Sequence, residues 1–376
     1  MMKKVLHISK YYYPFVGGVE QIARDCALAL QGSVDQKIIC FDHNPHSKDS
    51  IDTVDGVEVI RVGQQALVAS QALGKTYGKQ LKSVMKDYDP DIVIFHYPNP
   101  FVAHYVLKYL PSHTKFVVLW HLDIFKQKVL KHFCYGQNRR QLKRADKVIA
   151  TSPNYIDGSP WLSSVREKCV VIPNCIDENR LKVTDKEKEL AEQIRKENKD
   201  KIFCLAVGRH VPYKGFEYLI KASKLLDDRF IIQITGKGLL TQELHELAKD
   251  DPKVHFLGLV SDDELKARLL SCDIFTFSSI TKNEAFGVAL AEGMYFGKPA
   301  VTFTIPGSGV NYVNLNGVTG IEVPNEDVEA YAVALKKLAD NKELREQYGK
   351  AARQRVLDNF QYSSFKENIN NLIEAL

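Results

Sequence analysis

Two carboxylates, Glu284 and Glu292, bracket a small apolar run in the stretch KNEAFGVALAEG. Acids so close to apolar packing each need a partner, because an unpaired buried charge is costly. The wider segment IFTFSSITKNEAFGVALAEGMYFGKPAV reads as strand, loop, helix and strand. With a helix beginning near Phe286, the amides of Phe286, Gly287 and Val288 point outward unpaired, which makes an anion site that fits a diphosphate. Gly287 allows close approach to the backbone there. Glu284 lies in the loop beside that site, and Glu292 about two turns into the helix. A carboxylate at 292 can accept both hydroxyls of a ribose diol, and one at 284 can accept hydroxyls of a sugar beyond the phosphate. The plainer alternative is an acid favouring the helix dipole plus a surface glutamate. The strand–loop–glycine–helix context favours the site.

Cations with matching chemistry stand in VGRHVPYKGFEYLI, where Arg209 and Lys214 fall between a strand and a helix. Two such groups can neutralise a departing diphosphate without a metal. In YYYPFVGGVEQIARDCALAL, Gly17 and Gly18 permit close backbone approach at a loop that enters a helix. The pattern is not GxGxxG, which disfavours a dinucleotide site. Tyr11, Tyr12, Tyr13 and Phe15 are expected to pack or to touch an acceptor. His121 and Asp123, in LWHLDIF, follow a strand. The DPD at 89–91 has the look of a metal-binding pair, but it precedes its strand and reads as a turn at the wrong end of the sheet. No metal site and no cofactor are expected.

These side chains need a frame. Short β-branched runs recur at 3–9, 36–41, 57–62, 91–96, 115–121, 147–152 and 169–173, then at 202–208, 230–236, 254–260, 274–279, 299–305 and 320–323. Each is followed by turn residues and a helical pattern. Near-continuous apolar strands alternating with helices imply parallel sheets covered on both faces, here two doubly wound α/β units. The expected division is 1–177 and 178–359, with a terminal helix over 360–376 packing back on the first domain. The charged segment 177–201 reads as linker plus solvated helix. In open α/β sheets ligands bind beyond the carboxyl ends of the strands, and the unusual residues follow that rule. Strand ends facing each other across a cleft between the domains would bring the two sets together.

Composition bounds the function. The chain has 376 residues, 45% hydrophobic and 26% charged, as soluble globular proteins do. No apolar run approaches the length of a membrane helix. Lys3 and Lys4 precede only Val5–Ile8, which reads as a first strand rather than a leader. Seven cysteines without a CxxC pair suggest a reducing cytosol and argue against a zinc site. Residues 1–176 hold 23 Lys/Arg and 15 Asp/Glu, a balance of +8, while the remainder is −3. The basic half should seek an anionic partner. Its densest stretch, residues 126–147, has the make-up of a helix that lies on an anionic membrane surface, or of an ordinary solvated helix. A nucleic-acid partner is not expected.

The pattern resembles the GT-B retaining glycosyltransferases, specifically glycosyltransferase family 4. The likeness spans nearly the whole chain: the Gly17-Gly18 loop, the His121 position, Gly208-Arg209 with Lys214-Gly215, TGKG around Gly236, FLGLV, the Glu284/Glu292 pair with FG, and NGVTG at 316–320. The resemblance implies a catalytic set of Arg209, Lys214, Glu284 and His121. It implies donor binding by Gly17, Gly18, Gly208, Gly236, Phe286, Gly287, Val288 and Glu292, with the backbone near Leu259 and Val260 holding the base. One departure is IPGSGVNYV, with Ser308 after Gly307 and Asn311 near a position where family members often carry an acid. WHLD and IATSPNY look like bacterial polysaccharide-assembly members, some of them mannosyltransferases. The expected reaction moves a hexose from a nucleoside diphosphate sugar, GDP-mannose or a UDP-hexose, to a saccharide acceptor on a polyprenyl diphosphate, in the cytoplasm or at the inner face of the membrane. The rivals are a GT-B nucleotide-sugar 2-epimerase and a non-catalytic sugar-nucleotide sensor.

Overall fold

The computed structural model describes residues 2–68, 71–123 and 128–376. The chain forms two compact units, Met1–Ile172 with Ser363–Leu376, and Pro173–Tyr362.

The first unit is built on strands β1 (Lys4–Ile8), β2 (Asp35–Pro45), β3 (Ser50–Val54), β4 (Val57–Gln64), a small hairpin of β5 (Ala66–Val68) and β6 (Gln71–Leu73), then β7 (Ile92–Tyr97), β8 (Lys115–Trp120), β9 (Lys147–Ala150) and β10 (Cys169–Val171). The main sheet runs β10-β9-β8-β7-β1-β2-β4-β3 and is parallel except for β3. Its central strand β7, IVIFHY, is buried at every position, as a strand covered by helices on both faces must be. Sequence periodicity missed β3, β5 and β6. The β3–β4 hairpin turns on Asp55 and Gly56, both at positive φ, 51° and 80°. An Asp-Gly pair between β-branched residues is the usual mark of such a two-residue turn. The helix Tyr362–Glu374 belongs to this unit. Its Asn370 donates to Ala29 O at 2.8 Å, and Lys3 Nζ donates to Ile373 O at 2.9 Å.

The second unit has β11 (Ile202–Val207), β12 (Phe230–Thr235), β13 (Val254–Gly258), β14 (Ile274–Phe277), β15 (Ala300–Phe303) and β16 (Gly320–Val323). All pair in parallel in the order β13-β12-β11-β14-β15-β16. The order reverses direction between β11 and β14, and the crevice outside the strand ends at such a point is where doubly wound sheets take ligands. Phe203, Leu205, Phe275, Val301 and Leu290 are among the fully buried core residues beneath it.

One expectation is corrected here. Residues 177–201 are not a linker with a solvated helix. The helix Asp185–Glu197 starts at a capping box between Thr184 and Glu187 and buries Ala191 and Ile194 in the core of the second unit. Lys266 pairs with Glu187, and Arg195 Nη1 reaches Asp273 at 2.9 Å. The segment looked solvated because its one apolar stripe is narrow and its charges are matched by partners distant in sequence.

Candidate active site

The loops after β11 and β14 flank the reversal of the second sheet. Lys214 sits in a short turn, Pro212–Lys214, and Gly215 at φ 60° carries the chain into the helix Phe216–Ser223. Its ammonium pairs directly with Glu284 Oε2, and both side chains are nearly buried, at 12% and 13% exposure. Ser279 Oγ donates to the same oxygen at 3.1 Å, and Ser278 Oγ donates to Lys214 O at 3.0 Å. Lys214 Nζ also lies 5.0 Å from the centre of the Phe277 ring. Arg209 is exposed beside it, with Nη2 3.4 Å from the Tyr213 hydroxyl. The sequence assigned Lys214 and Glu284 separate ligand groups, and the structure joins them in one ion pair.

The helix after Glu284 starts later than the sequence suggests, at Val288 rather than Phe286, and runs to Tyr295. Gly287 is its N-cap at φ 93°, and Phe286 is buried. The amides available at the helix start are therefore those from Gly287 onward, while the Phe286 side chain anchors the loop by packing edge-on against Phe360. Glu292 is buried, and its carboxylate pairs with Arg180, whose other guanidinium nitrogen reaches Asp262 at 3.0 Å. Burial raises the Glu292 pKa, and the Arg180 charge opposes the rise.

Gly236, at φ 124°, has its own packing reason. A Cβ there would lie 1.8 Å from Gly208 O, so the two glycines let the ends of β11 and β12 pass closely. Leu259 is 74% exposed just after β13, with Val260 next to it half-buried.

Sequence reasoning missed Arg180, which lay in the supposed linker, and it noted Ser308 without assigning it a contact. The Ser308 hydroxyl is buried and donates to Glu284 O. Asn311 braces the same loop, accepting from Ile305 N at 2.7 Å and donating to Phe303 O at 3.1 Å. The departure noticed at 307–311 thus holds the backbone of the first acid.

In the first unit, Gly17 caps the helix Gly18–Ala29 from extended backbone, and a side chain at Gly18 would meet open space. Tyr11 and Tyr12 pack inward, whereas Tyr13, Phe15 and Val16 are exposed. His121 directly follows β8, is buried, and meets His96 through Nε2 at 3.2 Å. Asp123 is structural: it accepts from Trp120 Nε1 and from Ser159 Oγ, each at 2.9 Å. Asp91 of the DPD motif accepts from the Lys4 amide at 2.7 Å, at the amino-terminal edge of the sheet. Among the described residues no group of three His, Cys, Asp or Glu could hold a metal ion.

Two family models match the chain: Glycosyltransferase Family 4 over residues 16–180 and Glycosyl transferases group 1 over residues 187–355. The O-antigen chain mannosyltransferase C of Escherichia coli is 30% identical over 99% of this chain and 98% of its own length. The chain belongs to glycosyltransferase family 4. The D-rhamnosyltransferase WbpZ of Pseudomonas aeruginosa is 31% identical to this glycosyltransferase over 94% of the chain and 91% of its own length. Solved structures share its GT-B fold of two Rossmann-like halves. HepE of Anabaena in complex with UDP and glucose matches with a TM-score of 0.76 at 18% identity, covering 100% of both chains. The apo lipopolysaccharide outer core galactosyltransferase WaaB matches at 0.73 and 15% identity over 99% of this chain and 100% of its own.

The basic stretch of this glycosyltransferase is partly placed. Residues 126–127, and the side chains at 128–134 of the helix Lys128–Arg144, lie outside the described residues. Of the rest, Arg139, Arg140 and Lys143 are exposed, and exposed Tyr135 packs on Trp161 with ring centroids 4.9 Å apart and planes tilted by 53°. Arg144 is instead structural, donating to Pro111 O at 3.1 Å and Thr114 O at 2.6 Å. Among the described residues no helix is long and apolar enough to cross a membrane.

Proposed function

We propose that this glycosyltransferase moves a hexose, with retention at the anomeric carbon and without a metal ion, from a nucleoside diphosphate sugar to a saccharide acceptor. The donor is GDP-mannose or a UDP-hexose, and the acceptor is carried on a polyprenyl diphosphate during assembly of a cell-surface polysaccharide. The observation that carries the reading is the Lys214–Glu284 pair at the reversal of the second sheet, one loop away from an open helix start at Gly287. An ammonium has three N–H donors, and one spent on Glu284 leaves two for diphosphate oxygens. Arg209 adds an exposed fork, and the amides from Gly287 onward add fixed dipoles. Donors already aimed at growing negative charge stabilise the departing diphosphate without reorganisation. Glu292, held by Arg180, accepts the ribose hydroxyls, and Glu284 accepts from the sugar. The backbone near Leu259 and Val260 holds the base.

The second unit thus acts as the donor domain and the first as the acceptor domain, with Gly17, Gly18 and His121 as its contribution. The exposed Arg139, Arg140 and Lys143 hold the protein to the anionic inner face of the membrane, near its acceptor. The two relatives named for O-antigen and rhamnose transfer support the polysaccharide reading, and the UDP complex supports the donor class. The test is a product assay with a panel of nucleoside diphosphate sugars and a polyprenyl diphosphate acceptor, with the anomeric configuration of the product read by NMR. A retained product, at a rate unchanged by EDTA, is expected. An inverted product, a rate that collapses in EDTA and returns with Mg²⁺ or Mn²⁺, or an epimerised donor without transfer would overturn it.

A further inference from the structure

Tyr13, Phe15 and Val16 are exposed within four residues, at 41%, 37% and 74%. No other four-residue run among the described residues exposes as many large hydrophobic side chains. Exposed apolar surface gathered in one place marks a contact. The run lies in the loop that leaves β1 at the carboxyl edge of the first sheet and enters the helix at Gly18. That edge is where doubly wound sheets take ligands. The Phe15 ring adjoins the glycine pair: a Cβ built on Gly17 would stand 3.5 Å from Phe15 Cε1.

The loop is held in place without a ligand. Arg61 of β4 is buried; its Nη2 donates to Tyr13 O at 2.5 Å and its Nε to Asp52 of β3 at 3.0 Å. Arg24, on the helix Gly18–Ala29, lies over the Tyr13 ring with Cζ 4.2 Å from the centroid. Asp55, in the β3–β4 turn, accepts a two-point fork from Arg24, from Nε at 2.7 Å and from Nη2 at 3.0 Å. The Tyr11 hydroxyl donates to Gln64 Oε1 at 2.5 Å, and its ring packs on Phe15 with centroids 4.8 Å apart. A surface cation–π pair alone would account for Arg24. It does not account for the second arginine, which holds the backbone of the same residue. The β3–β4 hairpin thus supplies two carboxylates whose arginines fix one tyrosine by its backbone and by its ring, and leave it exposed.

We propose that Tyr13 is a sugar-stacking residue of the acceptor site, with Arg24–Asp55 and Arg61–Asp52 as the pairs that position it. The ligand is a pyranose ring. One face of a pyranose is made of C–H groups, which pack on an aromatic ring, and its edge carries hydroxyls, which need polar partners. Beside the patch, β2 carries Asp42, His43 and Asn44 near its end, and the His43 ring lies 5.8 Å from that of Phe15. Such a rim suits hydroxyls and has nothing to offer an acyl chain. Because the tyrosine is already fixed, stacking on it costs little side-chain entropy. The proposal rests on the reading of the first unit as the acceptor domain.

Its first test needs no turnover. Full-length protein is mixed in turn with methyl α-D-mannopyranoside, methyl β-D-glucopyranoside and methyl β-D-galactopyranoside. Saturating the protein's aromatic protons should transfer magnetisation to the C–H protons of at least one of them. The transfer should fall in Tyr13→Leu, which keeps an apolar side chain, and persist in Tyr13→Trp. Equal transfer in the parent and in Tyr13→Leu, or none to any of the pyranosides, would overturn the proposal. So would a loss of vesicle binding in Tyr13→Leu with pyranoside transfer intact, which would make the patch a bilayer contact. The second test is kinetic. Tyr13→Leu should raise acceptor KM roughly three- to tenfold and leave donor KM as it is. Arg24→Met should give a smaller rise of the same kind, and Arg24→Lys, which keeps a cation over the ring, should recover part of it. A lower melting temperature in Arg24→Met with acceptor KM unmoved would overturn the positioning role. If no polyprenyl diphosphate acceptor is glycosylated, the acceptor reading fails, and the pyranoside spectra still decide whether Tyr13 holds a sugar.

Discussion

At the residue scale, the proposed donor site consists of charges that pair with each other: Lys214 with Glu284, and Arg180 with Glu292. Lys214→Ala and Arg209→Ala should each lower kcat by about 10²–10³ with smaller effects on KM, since both act on charge that grows in the transition state. The double variant should lose less than the product of the two, because both address one diphosphate; strict multiplicativity in steady-state rates would separate their roles. Arg180 acts differently. Burial, with Asp262 and Asp177 nearby, raises the Glu292 pKa, and Arg180 is the group opposing that rise. Arg180→Met should raise donor KM about tenfold. Its donor affinity should also begin to fall at a higher pH than in the parent, because the ionised carboxylate is the form that accepts ribose hydroxyls. A pH series of nucleoside diphosphate binding checks this, and superimposable profiles would deny Arg180 the role. The sequence singled out the two acids and two cations from their types and their strand–loop–helix context, and the structure shows Lys214 paired with Glu284. The contacts of Arg180 and Ser308 were not legible, because each reaches its acid across more than twenty residues of sequence, and no local pattern announces such a contact.

At the scale of elements, periodicity found the strands that carry the site, since a strand buried on both faces has few ways to be written. It overlooked β3, whose five residues alternate weakly and sit at a sheet edge, although the Asp55-Gly56 turn announced it. It also placed the start of the helix after Glu284 two residues early. The reason is Gly287: its left-handed backbone delays the helix and turns the chain from the acid loop into it. In Gly287→Ala the new Cβ would stand 3.2 Å from Phe277 at a φ of 93°. The strain should lower stability by about 1–2 kcal/mol and displace the helix-start amides. Thermal melts and donor KM should therefore move together. A drop in melting temperature with unaltered donor KM would dissociate the helix start from the ligand.

At the scale of the molecule, the two units should answer acid differently. His7, His96 and His121, all buried in the first unit, have folded pKa values below their ordinary 6.5, so the unfolded chain binds their protons first. Their contribution is intact above that value and shrinks as pH falls through it, by up to about 1.4 kcal/mol per unit for each ring. For His7 the loss continues down to about 4. Melting between pH 8 and 5, followed by hydrogen exchange, should show the first unit loosening before the second; a second unit that opens first would contradict this. The first unit is also discontinuous along the chain, closed by the helix Tyr362–Glu374 after all 190 residues (173 to 362) of the second. On a ribosome adding about 5–20 residues per second, that helix arrives roughly 10–40 s after β10. During that interval Ala29 O and Lys3 lack their native partners, Asn370 and Ile373. Nascent chains stalled before residue 363 should thus present a protease-sensitive amino-terminal half, which becomes resistant only when the last helix emerges.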